Sequence, residues 1–84
     1  MITVLLVEDE QPIRDMIRFA LSREGIDMVE AGNADDARRV LSSCLPDLIL
    51  LDWMLPENSR IKVLLEFKKN NEISKIPVFM LTAK

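Results

Sequence analysis

The chain predicts an α/β fold, a three-layer, doubly wound parallel sheet, and three observations carry that expectation. Val4-Leu5-Leu6-Val7 and Leu48-Ile49-Leu50-Leu51 are continuous branched apolar runs, the pattern of strands buried on both faces. Segments with helical periodicity separate the strand candidates, giving the order β-α-β-α-β-α-β. Right-handed crossovers turn that order into a parallel sheet with helices on both faces.

The first strand is Thr3 to Val7. Pro12 sits where a helix begins, because its missing N–H is an orphan there in any case. Ile13, Met16, Ile17, Ala20 and Leu21 then mark one helical face, and Gly25 supplies the stop. Met28 to Ala31 is a short second strand. Asn33 is placed to cap a second helix whose inward stripe is Ala34, Ala37, Val40, Leu41 and Cys44. Leu45-Pro46-Asp47 breaks that helix before strand three, Leu48 to Leu51. Pro56-Glu57-Asn58-Ser59 reads as a turn with Ser59 as the cap of a third helix. Ile61, Leu64 and Leu65 mark that helix, with Val63 and Phe67 on an adjoining face. Asn70-Asn71 ends it, a loop leads to Pro77, and Val78 to Leu81 is the fourth strand.

Composition narrows the function. With 84 residues the chain is one domain at most, and 49% apolar residues make it globular rather than disordered. The net charge of −3 and interspersed signs leave no concentrated basic face for nucleic acid; Lys62, Lys68 and Lys69 read as a solvated helix face. A single cysteine, Cys44, excludes an internal disulfide and fits a cytoplasmic location. With no histidine to activate it, Cys44 reads as a packed thiol. No basic-then-apolar leader and no membrane-length apolar run is present.

The acids carry the chemistry. Strand one runs into Glu8-Asp9-Glu10 and strand three into Asp52. In an open α/β sheet, ligands bind beyond the carboxyl ends of the strands. If the two strands are neighbours, Glu8, Asp9 and Asp52 share one crevice, where they raise one another's pKa values until a hard cation such as Mg²⁺ neutralises them. That arrangement points to Mg²⁺-assisted phosphoryl chemistry. Glu10 reads instead as a charge favoured by the helix dipole, and Trp53 as packing or surface.

Three segments make the reading specific. Val4 to Glu10 (VLLVEDE), Pro46 to Pro56 (PDLILLDWMLP) and Ile76 to Ala83 (IPVFMLTA) resemble, in order and spacing, a bacterial response-regulator receiver domain of the OmpR/PhoB subfamily. The resemblance implies a flavodoxin- or CheY-like fold with strand order 2-1-3-4. It implies that Asp52 is the phosphoacceptor, served by a sensor histidine kinase or a small phosphodonor. Glu8 and Asp9 then hold Mg²⁺ together with Asp52 and the backbone carbonyl of Met54. Thr82 contacts the phosphoryl group, and Ala83 is the small residue that leaves the site open. By this reading the chain is a phosphoaccepting module, not a conventional enzyme.

Two departures from the family stand out. Arg60 occupies a position where a glycine is usual, which places a cation near the acids. The sequence given also stops at Lys84, before the fourth helix, fifth strand and fifth helix of the family, so the residues at 1–84 are expected to be an amino-terminal part. DNA would be reached only through an effector domain outside this sequence, and no membrane is involved. With no neighbour beyond it, Val78-Leu81 would be an apolar edge prone to self-association. A truncated or degenerate receiver that only binds partners is the alternative. A haloacid-dehalogenase-like phosphatase needs a second aspartate where Met54 stands, and a flavodoxin-like cofactor site needs a phosphate loop absent after strand one.

Overall fold

The computed structural model describes residues 1–81. Four strands, β1 (Thr3–Val7), β2 (Asp27–Ala31), β3 (Leu48–Asp52) and β4 (Val78–Leu81), form one parallel sheet in the order β2-β1-β3-β4. The order matches the sequence expectation. The register sets Val7 opposite Leu51, so Glu8 and Asp52 leave the sheet side by side.

The helices are α1 (Gln11–Ser22), α2 (Ala34–Ser43), α3 (Glu57–Phe67) and a short α4 (Asn71–Ser74). One face of the sheet, carrying Leu5, Val7, Ala31, Ile49 and Leu51, packs on Ala37 and Leu41 of α2, Val63 and Phe67 of α3, and Ile73 of α4. This is the main core. Val4, Leu6 and Met28 are also buried but lie outside that cluster, on the alternate face, where α1 covers β1 and β2. Asn33 caps α2 as its position predicts, its side chain accepting the Asp36 N–H at 2.8 Å. Gly25, after α1, takes φ +74°, a conformation that L side chains rarely adopt.

The structure corrects four local expectations. Ser59 is not the cap of α3: the helix starts at Glu57, and Ser59 lies in its first turn with its N–H on Asn58 Oδ1. The inward face of α3 is Val63 and Phe67, whereas Ile61 and Leu65 are more than half exposed. Apolar residues surround most of this helix, so periodicity alone does not fix its rotation. Asn70 does not simply end α3; its side chain accepts the Ile73 N–H at 2.7 Å and starts α4, which buries Ile73 where a loop was expected. Cys44 is not within the helix but follows it in extended conformation, half-buried and free.

The predicted apolar face of α1 exists, but no residue of that helix is fully buried, and Met16 is 65% exposed. The reason is architectural. Among the described residues α1 stands alone on its side of the sheet, and it packs chiefly on β2, at one edge of the sheet. Phe79, on the same face of β4, is 57% exposed.

The rotation of α3 is testable by denaturant unfolding. Val63→Ala should cost about 1–3 kcal/mol, and Ile61→Ala and Leu65→Ala about 0.5 kcal/mol or less. Equal costs at all three positions would contradict the observed packing.

Candidate metal and phosphoryl site

The site lies where β1 and β3 end. Glu8 continues the β1 ladder by donating its N–H to the Ala31 carbonyl at 3.0 Å, which holds its side chain at the mouth of the sheet. Asp52 closes β3. Its Oδ1 accepts the Met54 N–H at 2.9 Å, while the next peptide, Trp53 N–H, bonds the Leu81 carbonyl at 2.8 Å. Glu8 Oε1 accepts the Glu10 N–H at 3.0 Å. These bonds fix both carboxylates before any ligand arrives.

Carboxylate oxygens of Glu8, Asp9 and Asp52 lie within 4.8 Å of one another. Glu8 and Asp52 are buried, and Asp9 is exposed. The acids open into a cavity of about 530 Å³ that Met54 also lines, together with Ile13, Met16 and Ile17 of α1 and Leu81 of β4. Glu8, Asp9, Asp52 and Met54 thus all line this one cavity. Thr82 and Ala83 lie outside the described residues.

The electrostatics follow from burial and crowding together. Burial first, and then the hydrogen bond and repulsion with Asp52, push the Glu8 carboxyl up from 4.5 to about 7; the Glu10 N–H works in the opposite direction. The cluster thus carries negative charge in a partly dry place, and among the described residues no Lys or Arg lines its cavity. Arg14, the nearby base, is already committed: it pairs with Glu30 at 2.7 Å and donates to Gln11 Oε1 at 2.6 Å and to the Glu8 carbonyl. Three hard oxygen donors, a buried acid starved of counter-charge and an adjoining water-accessible cavity suit a hard divalent cation.

Arg14 is a residue that the sequence reading missed. It ties α1, β2 and the acidic loop together, and Arg18 adds a second bond to Glu30 at 2.9 Å and one to the Met28 carbonyl at 3.1 Å. The two arginines, with Arg18 first, hold the Glu30 carboxyl below its usual range. The available signal was two arginines four apart on one helical face, and an acid between the apolar residues Val29 and Ala31 of the second strand. Arg60 does not face the acids. Its side chain lies on Trp53 and bonds the Leu55 carbonyl, and its backbone is ordinary helix.

The family model for the response regulator receiver domain matches residues 4–84. The chain belongs to that family. It is 48% identical over 82 residues to the phosphate regulon transcriptional regulatory protein PhoB of Pseudomonas aeruginosa, an alignment covering 98% of this chain and 36% of that protein. The receiver sequence thus spans about a third of the length of this relative. Among solved structures it superposes on the N-terminal domain of a response regulator receiver protein from Methanoculleus marisnigri JR1 with a TM-score of 0.85 and 34% identity, covering 98% of this chain and 67% of that one. It also superposes on the Thermotoga maritima response regulator TrrA in complex with Mg²⁺-BeF, with a TM-score of 0.78 and 31% identity over 100% of this chain and 71% of that one. The CheY-like receiver fold is therefore that of the sequence expectation.

A pH dependence follows for the metal-free receiver. The raised Glu8 value means that the folded state holds this proton more tightly than the unfolded chain. That contribution is fully present below about pH 4.5, fades as pH rises and is lost above about pH 7. At about 1.4 kcal/mol per unit, the loss amounts to a few kcal/mol. Urea unfolding of Glu8→Gln across this range should remove most of the slope; an unchanged slope would assign it to other groups.

Proposed function

We propose that this receiver accepts a phosphoryl group on Asp52 from a sensor histidine kinase, with Mg²⁺ held by Glu8, Asp9, Asp52 and the Met54 carbonyl. The observation that carries this reading is the convergence of the three carboxylates within 4.8 Å at an accessible cavity. The Mg²⁺-BeF complex of the Thermotoga relative supports the choice of ion. Bound there, Mg²⁺ would neutralise the equatorial phosphoryl oxygens and relieve their repulsion from the acids.

The chain's own residues supply the rest. Met54 N–H on Oδ1 fixes the plane of the Asp52 carboxylate. An Asp52 oxygen attacks phosphorus; the bond from phosphorus to the donor's imidazole nitrogen breaks, and its electron pair leaves on that nitrogen. Such a transfer needs in-line positioning and charge neutralisation more than covalent help. Glu8, which is buried, and Asp9, which is exposed, would both hold the ion. Thr82 is assigned the phosphoryl contact, with Ala83 keeping the approach open. The receiver is an acceptor that is consumed in the step, rather than a conventional enzyme.

The similarity to PhoB supports a place in transcription regulation, with DNA contacted by a domain outside this sequence. A cytoplasmic location is consistent with a free cysteine and with the fact that no helix among the described residues is long and apolar enough to cross a membrane.

The acceptor role is tested by intact mass after incubation with acetyl phosphate. The expected result is a gain of one phosphoryl group that requires Mg²⁺ and is lost in Asp52→Asn. A folded chain that gains nothing would instead be a receiver that only binds its partners.

A further inference from the structure

We infer that Arg60 is a positioning residue for the metal site, acting as a latch across the loop that carries Met54. The inference rests on the metal reading given above. The loop Trp53–Pro56 joins Asp52 to α3, and it must hold the Met54 carbonyl toward the acids if that carbonyl is to serve as a ligand. Its inner side is tied down by Trp53 N–H to Leu81, Met54 N–H to Asp52 Oδ1, Leu55 N–H to the Asp52 carbonyl at 3.3 Å, and the buried Leu55 side chain. Its outer side is held by Arg60.

The guanidinium carbon lies 4.2 Å from the centroid of the Trp53 ring, and Nε donates to the Leu55 carbonyl at 3.1 Å. One side chain therefore grips the residues on both sides of Met54. Met54 is itself 67% exposed, so its side chain contributes little to holding its own backbone. Arg60 is mounted on the first turn of α3, whose Val63 and Phe67 are buried in the core, so the latch is anchored to the rigid part of the domain. A planar guanidinium can stack and donate at the same time. A lysine ammonium is a point charge and does one or the other. A glycine here would do neither.

The latch lowers the entropy that Mg²⁺ binding must otherwise remove from the loop. Its loss should weaken Mg²⁺ binding about three- to tenfold, a fraction of what one exposed cation–π contact and one hydrogen bond contribute together. The fold should remain.

The test is an NMR titration with Mg²⁺, following backbone amides of the wild-type chain and of Arg60→Ala, Arg60→Met, Arg60→Lys and Trp53→Leu. Wild type should show the Arg60 δ-methylene protons shifted upfield by the indole ring, a signature lost in Trp53→Leu. Arg60→Ala and Arg60→Met should raise the Mg²⁺ Kd, with Arg60→Lys intermediate. Trp53→Leu and Arg60→Ala combined should cost less than the sum of the two. A wild-type chain whose site amides ignore Mg²⁺ would overturn the metal reading itself. A responsive wild type with unchanged Kd in Arg60→Met and Trp53→Leu would overturn the latch alone. Those two variants decide the matter even if Arg60→Ala fails to fold.

Discussion

Burial of Glu8 beside Asp9 and Asp52 is the constraint on which the rest of this receiver turns. The sheet creates it. Parallel pairing with Val7 opposite Leu51 delivers Glu8 and Asp52 to the same level, and two buried strands leave them nowhere to diverge. A domain of this size has little stability to spare. It nonetheless keeps an acid whose carboxyl is pushed to about 7, mainly by burial. Arg14 stops short of neutralising the cluster: it holds the Glu8 carbonyl but places its charge on Glu30. The surrounding network thus positions the acids while leaving their charge to be met from outside.

The loop after β3 answers the same constraint from the opposite side. Asp52 is fixed by Met54, two residues further on, so its carboxylate and the candidate carbonyl ligand move as one piece. Arg60 and Trp53 close that piece on its outer surface. On the other face of the sheet α1, alone there among the described residues, has the opposite character. It covers Val4, Leu6 and Met28 but leaves Met16, Phe19 and Phe79 largely in solvent. Among the described residues the α2–α3 side is therefore well packed and the α1 side more open, and the acidic cavity opens onto the latter.

Most of the sheet and most of the site were legible in the sequence, for one physical reason. Strands buried on both faces are continuous apolar runs, and a charged residue can follow only where such a run leaves the sheet. Reading Val7 into Glu8 and Leu51 into Asp52 thus gave strands, strand ends and site together. The helices were less legible. On α3, Ile61, Val63, Leu64, Leu65 and Phe67 offer several apolar faces, and only contact with α2 and the sheet selects Val63 and Phe67. Asn70 reads equally as a helix stop or a helix cap, and burial of Ile73 makes it a cap. The roles of Arg14 and Arg60 depend on partners distant in sequence or on loop geometry, which no periodicity encodes.

The most direct test of the central claim, that an external cation meets the charge of the acidic cluster, is the proton count on Mg²⁺ binding. Calorimetry in buffers of different ionisation enthalpy gives it. Because the Glu8 carboxyl stands near 7 before the ion arrives, binding at about pH 6 should release close to one proton, and at about pH 8.5 almost none. Glu8→Gln should abolish the release. Mg²⁺ binding that releases no proton at either pH would contradict the account, because the ion would then not be displacing the proton that the crowded acids retain.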